Sequence, residues 1–249
     1  MSAINFYFQV HQPWRIKKYR VFDIGRDHDY FTDNSETARN NQKVFDKVTQ
    51  KCYLPANNIF QDLLDKYPHF KISYSLSGVW MEQAERFAPE AIKSFQKLVN
   101  TGRVEILAET YYHSLAFLYS KTEFDHQVSL HRKKVKDLFG VTPKVFRNTE
   151  LIYNNDLAHH IEKQKYLGII AEGADHILGW RSPNFLYQPK GCKKLKLLLK
   201  NYRLSDDIAF RFSSRDWAEF PLTAAKFASW ISAVNGNGQV VNLFMDYET

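Results

Sequence analysis

Short apolar runs rich in β-branched residues alternate along the chain with longer stretches in which apolar residues recur at every third or fourth position. Runs of the first kind have the length and composition of β-strands. They cover residues 4–10, 71–76, 104–108, 144–147, 168–171, 194–199 and 240–245. Because helical stretches lie between successive strands, the pattern favours a parallel sheet covered by helices.

Apolar residues at helical spacing predict helices over residues 58–67, 89–100, 122–139 and 223–234. The third helix is the clearest, and its apolar face carries Phe124, Val128, His131, Val135, Leu138 and Phe139. Gly140 is its stop signal. We interpret His131 as a packed histidine because it lies on this apolar face. In the first helix the spacing predicts a buried face through Ile59, Leu63 and Tyr67.

The chain is long enough to form a single barrel-sized domain. Its 249 residues include 44% hydrophobic side chains, which allows one large core. We therefore predict one α/β domain over residues 1–249, an incomplete (β/α)7 TIM-like barrel with parallel strands. In such barrels the chemistry gathers at the C-terminal ends of the strands.

Composition narrows the possible partners and the compartment. The formal charge of +7 would suit an acidic partner, but the basic residues are scattered and no recognition motif accompanies them, so we predict no nucleic-acid binding. Cys52 and Cys192 make no disulfide framework, and the sequence has neither a secretory leader nor a run of roughly eighteen apolar residues. These features predict a cytoplasmic protein with free thiols and no membrane partner.

Polar side chains follow four of the predicted strands, where a barrel would bring them to one mouth. They are His11-Gln12-Pro13-Trp14, residues 109–113, Asn148-Thr149-Glu150 and Asp246-Tyr247-Glu248. Glycoside cleavage needs two carboxylates, one that attacks or activates water and one that donates a proton. Spacing alone leaves nine candidates, namely Glu105, Glu109, Glu150, Glu172, Asp175, Asp206, Asp207, Asp246 and Glu248.

These clusters, taken in order, resemble the motifs of glycoside hydrolase family 57. His11-Gln12-Pro13 is similar to the first motif, and residues 102–108, running on to His113, are similar to the second. Residues 146–151 resemble the third and residues 246–249 the fourth. His-Gln-Pro alone is a weak signal, whereas four motifs in order, each at a strand end, are specific.

The resemblance implies an incomplete (β/α)7 barrel and a retaining reaction on α-linked glucans, of the α-amylase or 4-α-glucanotransferase type, without a metal or organic cofactor. By position it implies that Glu150 is the nucleophile and Asp246 the general acid/base, with His11 and His113 in the substrate site. The aromatic stretch 109–115 is more similar to amylase-type members.

Three further side chains are expected in the substrate-binding cleft. Trp80 and Trp180 would stack on sugar rings, although core packing is an equally open interpretation for each. Asp206 would bind substrate, or would instead cap the N-terminus of a helix.

The sequence stops three residues after Asp246, whereas family members continue into a helical region that contains a fifth motif. The expectation is therefore a C-terminally truncated catalytic domain. Two alternatives remain open at this point. One is a catalytically silent glucan-binding module, and the other is a metal-dependent carbohydrate deacetylase, which would need Asp and His ligands grouped around one ion.

Overall fold

The computed structural model describes residues 2–35 and 38–248, and these residues contain seven parallel strands. The strands are β1 (Ala3–Val10), β2 (Ile72–Leu76), β3 (Val104–Ile106), β4 (Val145–Arg147), β5 (Gly168–Ala171), β6 (Lys196–Leu199) and β7 (Val240–Asp246). Each of the predicted strands is confirmed, with small shifts at the ends.

The strands form two sheets, in the orders β3-β2-β1-β7 and β4-β5-β6. A parallel bridge between Ala108 and Phe146 joins the sheets on one side. On the other side the backbone N–H of Asn201 donates to the carbonyl of Asn242 over 2.8 Å, but β6 and β7 form no strand pairing within the described ranges. The prediction of an incomplete barrel is confirmed.

Helices connect the strands and cover the outside of the sheets. In the described ranges they are α1 (Asn41–Val48), α2 (Leu54–Lys66), α3 (Gly78–Phe87), α4 (Pro89–Val99), α5 (Lys121–Phe139), α6 (Asn155–Lys163), α7 (Asp175–Leu178), α8 (Tyr202–Asp206) and α9 (Ala224–Ser232). The four predicted helices are present as α2, α4, α5 and α9. The Ser120 side chain caps the start of α5 by accepting from the backbone N–H of Glu123, and Gly140 ends it at a φ of 71°.

The predicted buried face of α2 is wrong. Ile59 is 60% exposed and Tyr67 is 48% exposed, whereas Asn57 and Gln61 on the same helix are buried. The Asn57 side chain donates to Ser94 Oγ over 2.7 Å and accepts from the Tyr247 hydroxyl over 2.7 Å. Asn57 can lie on the buried face of α2 because both of these hydrogen bonds are made inside the protein. The spacing of the apolar residues had predicted a different face as the buried one.

Alternation along the strands divides the core into an outer and an inner part. Outward side chains pack against the helices, and Trp80 is fully buried there, with ring centroids 5.5 Å from Tyr53 and 5.3 Å from Phe95. Inward side chains form a separate cluster of Tyr7, Leu107, Leu151, Ile170 and Phe244. This cluster is an apolar floor beneath the strand ends.

None of the helices in the described ranges is long and apolar enough to cross a membrane.

Two tryptophans in opposite environments test the packing of the outer core. Trp80 is 0% exposed and Trp180 is 95% exposed. We expect Trp80→Ala to lower the free energy of unfolding by about 3–5 kcal/mol, because it leaves a large cavity among aromatic rings. The matched change Trp180→Ala should alter it by less than about 0.5 kcal/mol. Denaturant unfolding measures both, and similar losses from the two changes would contradict this description of the core.

Candidate active site

A cavity of about 180 Å³ lies at the carboxyl ends of the strands. Its polar lining comes from five strands or the residues that follow them, and consists of Gln9, Arg147, Glu150, Glu172, Lys200 and Asp246, with Tyr7 and Phe244 from the apolar floor. Pockets that enclose drug-sized ligands measure about 300–1,000 Å³. A cavity of this size would hold a short part of a longer ligand.

The carboxylate of Glu109 is the most buried charge at this end of the barrel. Gln9 Nε2 donates to Glu109 Oε1 over 3.0 Å, and His113 Nδ1 lies 3.0 Å from Glu109 Oε2. Burial alone would raise the pKa of Glu109, but the hydrogen bond and the charge of His113 outweigh it and lower that pKa to about 2. Glu109 is therefore ionised at neutral pH.

His131 supports Glu109 through the backbone. Its Nε2 lies 2.9 Å from the carbonyl oxygen of Leu76, and its Nδ1 accepts from the backbone N–H of Glu109 over 3.5 Å. A neutral imidazole with its proton on Nε2 satisfies both contacts. The interpretation of His131 as a packed histidine is confirmed, since the residue is fully buried.

His113 bridges two carboxylates. While its Nδ1 faces Glu109, its Nε2 lies 3.3 Å from Glu150 Oε1. Both ring nitrogens can donate at once when the imidazole is protonated. The ring also stacks on His11 at a centroid distance of 4.1 Å.

His11 stays neutral beside this ring. Burial and the charge of His113 lower the pKa of His11 to about 4. The His11 Nδ1 is 2.7 Å from Ser77 Oγ, which fixes the orientation of the ring. The two predicted histidines thus lie face to face, with His113 in contact with the carboxylates.

Backbone strain is concentrated around Glu150. Glu150 and Leu151 each have a φ of 56°, and His113 has a φ of 54°. Left-handed backbone is unfavourable for such side chains and is held only where the surroundings require it. Here it turns the Glu150 side chain outward, so that the carboxylate is 70% exposed while Thr149 and Leu151 on either side are buried.

Asp246 reaches the same cavity from the end of β7. It is paired in register with Gln9, and the next residue, Tyr247, is fixed by a backbone N–H that donates to the Gln9 carbonyl over 2.8 Å. Glu150 and Asp246 therefore both line one cavity although they lie on different sheets.

The sequence matches the family model of Glycosyl hydrolase family 57 over residues 5–249. The chain belongs to this family. The matched residues include all four motif-like segments, from His11 in the first to Asp246 in the fourth.

Several known proteins are similar to this family 57 chain. A protein of Methanocaldococcus jannaschii named "Putative alpha-amylase" is 48% identical over 248 residues, which is 99% of this chain and 51% of that protein. The chain thus spans about half the length of this relative. The 4-alpha-glucanotransferase from Thermococcus litoralis superposes with a TM-score of 0.71 at 16% identity, over 99% of this chain and 34% of that one. A family 57 branching enzyme from Thermococcus kodakaraensis gives a TM-score of 0.68 at 12% identity, over 99% of this chain and 64% of that one. At these identities the likeness to the solved structures shows the fold.

The other side chains expected in the family 57 cleft lie apart from the cavity. Trp80 is enclosed in the outer core, so it offers no ring face to a sugar and the core-packing interpretation is correct for it. Trp180 follows α7, is 95% exposed and is not among the residues that line the cavity. Asp206 reaches the cavity indirectly, through Lys200 Nζ at 3.5 Å, and that Nζ is also 3.6 Å from Glu172.

Asp206 does not act as a helix cap. It is the last residue of α8, whose N-cap is Asn201, and its side chain makes no capping hydrogen bond to the π-helical turn that follows. Its neighbour Asp207 is paired with Arg211 at 2.6 Å. The two acidic side chains that a metal-binding alternative would use therefore have separate cationic partners.

The nine candidate carboxylates differ in their position relative to the cavity. Glu150, Glu172 and Asp246 line the cavity. Glu109 lies buried behind it, and Glu248 turns to the core, where the Tyr53 hydroxyl donates to it over 2.5 Å. Sequence reasoning did not single out Gln9, Glu109 or Arg147 as site residues, although Glu109 was one of the nine candidate carboxylates. Their inward position at the strand ends was the available signal.

Glu109→Gln tests the ionised state of the buried carboxylate. The folded-state pKa of about 2 lies below the ordinary value of 4.5. Ionised Glu109 therefore stabilises the fold above about pH 4.5, and this contribution is lost as the pH falls towards 2. We expect the wild type to be more stable than the variant at pH 7, and the difference to shrink below about pH 4.5. Denaturant unfolding over a pH series measures it.

Glu105→Gln is the matched control, since Glu105 lies on β3, the strand that leads into Glu109. Partial burial raises the pKa of Glu105, so the stability of the wild type relative to this variant should increase as the pH falls. A Glu109→Gln difference that stays constant from pH 7 to pH 2 would contradict an ionised Glu109.

Proposed function

We propose that this chain forms the catalytic barrel of a retaining glycoside hydrolase or transglycosylase that acts on α-linked glucans through a covalent glycosyl-enzyme. Glu150 is the nucleophile and Asp246 the general acid/base in this proposal, and His11 and His113 belong to the substrate site. The observation that carries it is the convergence of Glu150 and Asp246 on one cavity at the carboxyl ends of the strands.

The positions of the two carboxylates support these roles. Glu150 is largely exposed to the cavity, and its Oε1 faces His113 Nε2 at 3.3 Å. A hydrogen bond at this position would orient the carboxylate for attack. Asp246 ends β7 and lines the same cavity from the other sheet, which suits a group that gives its proton to the leaving oxygen.

The proposed reaction has two displacements at the anomeric carbon. In the first, a Glu150 oxygen bonds to that carbon, the glycosidic C–O bond breaks, and the Asp246 proton passes to the leaving oxygen. In the second, Asp246 takes a proton from water or from an acceptor hydroxyl. The oxygen so activated then bonds to the anomeric carbon and releases Glu150.

Two relatives support glucans as the substrate class. The Methanocaldococcus jannaschii relative is named "Putative alpha-amylase", and the Thermococcus litoralis structure is that of a 4-alpha-glucanotransferase. Hydrolysis and transfer share the same intermediate and differ in whether water or a sugar reaches it. We favour the amylase type because of the aromatic stretch 109–115. A cytoplasmic location, suited to the free thiols of Cys52 and Cys192, is part of the same proposal.

Glu150→Gln and Asp246→Asn in the full-length protein test the two roles. Substrates are a maltooligosaccharide and an aryl α-glucoside whose phenolate leaves without protonation. We expect Glu150→Gln to lower kcat at least about 10³-fold on both substrates, because no nucleophile remains. Asp246→Asn should lower kcat about 10²–10⁴-fold on the oligosaccharide and much less for release of the phenolate. Stopped assays and NMR of the first-formed anomer measure rate and stereochemistry.

Glu85→Gln is the control, since Glu85 lies on α3 and pairs with Lys134 outside the cavity. It should leave activity unchanged. Full activity of Glu150→Gln, or an inverted first product, would sink the assignment. Glucan binding without turnover by the wild type would instead support a silent binding module, and loss of all activity with a strong chelator would support metal-dependent chemistry.

A further inference from the structure

We infer that Arg147 is a sugar-binding residue of the cavity, and that its guanidinium holds ring hydroxyl oxygens of the glucosyl unit bound beside Glu150. The inference rests on the proposed function for the identity of its ligand. It assigns a role in substrate recognition to a residue of the segment 146–151 other than Glu150.

Arg147 is held rigidly where the barrel interior meets the cavity. It is the last residue of β4, and its backbone N–H donates to the carbonyl of Ala108 over 2.8 Å. On the other side it is paired in register with Ile170 of β5. The residue is 5% exposed and lines the same cavity as Glu150 and Asp246.

The guanidinium has no acceptor in the described part of the chain. Its Nε and Nη1 are buried without a hydrogen-bond partner there, and it forms no ion pair with a described carboxylate. Buried polar groups are almost always paired, and an unpaired charged donor is costly to a fold. Such an arrangement is expected where a ligand supplies the acceptors.

The charges around the cavity select the ligand chemistry. Three carboxylates, Glu150, Glu172 and Asp246, line it together with two cations, Arg147 and Lys200. Lys200 already faces Glu172 at 3.6 Å and Asp206 at 3.5 Å. An anionic ligand would be repelled by Glu150 and by the Glu172 and Asp206 carboxylates around Lys200, whereas neutral hydroxyl oxygens pair with the planar donor fork of Arg147 without adding negative charge.

The reaction constrains which oxygens Arg147 can hold. Positive charge develops at the anomeric carbon in the transition state, and a cation beside that carbon would oppose it. The fork must therefore contact hydroxyl groups elsewhere on the ring. A contact of this kind exists before and during the reaction, so it contributes to substrate affinity and to kcat/KM rather than to kcat.

A second role for Arg147 would be as a counter-charge for Glu109. The charge of Arg147 helps to lower the pKa of Glu109 against the effect of burial, although it contributes less than His113 and His131 do. Substitutions can separate the effect of the positive charge of Arg147 from that of its forked hydrogen-bond donors. Arg147→Lys keeps the charge and loses the fork, whereas Arg147→Met loses both and keeps much of the side-chain bulk.

Equilibrium binding of a maltooligosaccharide is measured in the full-length Glu150→Gln protein, with and without each Arg147 change. We expect both Arg147→Met and Arg147→Lys to weaken binding about ten- to hundred-fold. Binding of a series of monodeoxy analogues is then compared. The Glu150→Gln protein with Arg147 intact should bind at least one analogue more weakly than the unmodified sugar, and both Arg147 variants should lose that difference in affinity. Arg103→Met is the matched control. Arg103 directly precedes β3, at the amino end of the strand and away from the cavity, and it donates to the Tyr67 carbonyl over 3.0 Å. It should leave binding unchanged.

Unchanged affinity in both Arg147 variants would overturn the inference. So would an Arg147→Lys protein that binds and discriminates like the parent, since charge alone would then suffice. Failure of the proposed function gives a different result. Either the Glu150→Gln protein still turns over the glucan, or the wild type has no turnover. The binding comparison depends on neither result.

Discussion

A carboxylate that is fully buried and ionised needs hydrogen-bond donors on both of its oxygens, and the arrangement around Glu109 meets this requirement. Gln9 of β1 supplies one donor and His113, in the loop after β3, supplies the other. The backbone N–H of Glu109 itself donates to His131 Nδ1 of α5. One buried charge therefore ties a strand, a loop and a helix together, and it fixes the His113 ring so that Nε2 faces Glu150.

The cost of this arrangement is concentrated at the mouth of the barrel. His113, Glu150 and Leu151 have left-handed backbone, each at a cost on the order of 1–3 kcal/mol. The guanidinium of Arg147 is buried without a described partner. Two imidazoles are stacked, and one of them is kept neutral. Stability comes from elsewhere, from the aromatic outer core around Trp80 and from the apolar floor. This division of stable scaffold and strained site is common in enzymes.

The fold was predictable from the sequence to a large extent, because alternation and apolar runs locate the strands. The β5 segment, Gly168–Ala171, agrees at both ends with the prediction. The face of α2 was not predictable, since Asn57 is buried by partners on α4 and after β7. Trp80 illustrates the same limit. A tryptophan beside a strand end suits a cleft or a core equally well, and only the packing of Phe45, Tyr53 and Phe95 around it decides.

The sequence by itself determined the seven strands, the long helix α5 and the four motifs that match family 57, because these depend on local periodicity and on short runs of residues. The tertiary structure decided which of the nine carboxylates line the cavity, which one is buried as an ionised support, and that Arg147 is left without a described partner. These properties depend on pairs such as Gln9 and Glu109, which are 100 residues apart in the chain. Contacts of that kind follow from the arrangement of the strands around one interior, which side chains from distant parts of the chain share. No local pattern along the chain encodes the distance between them.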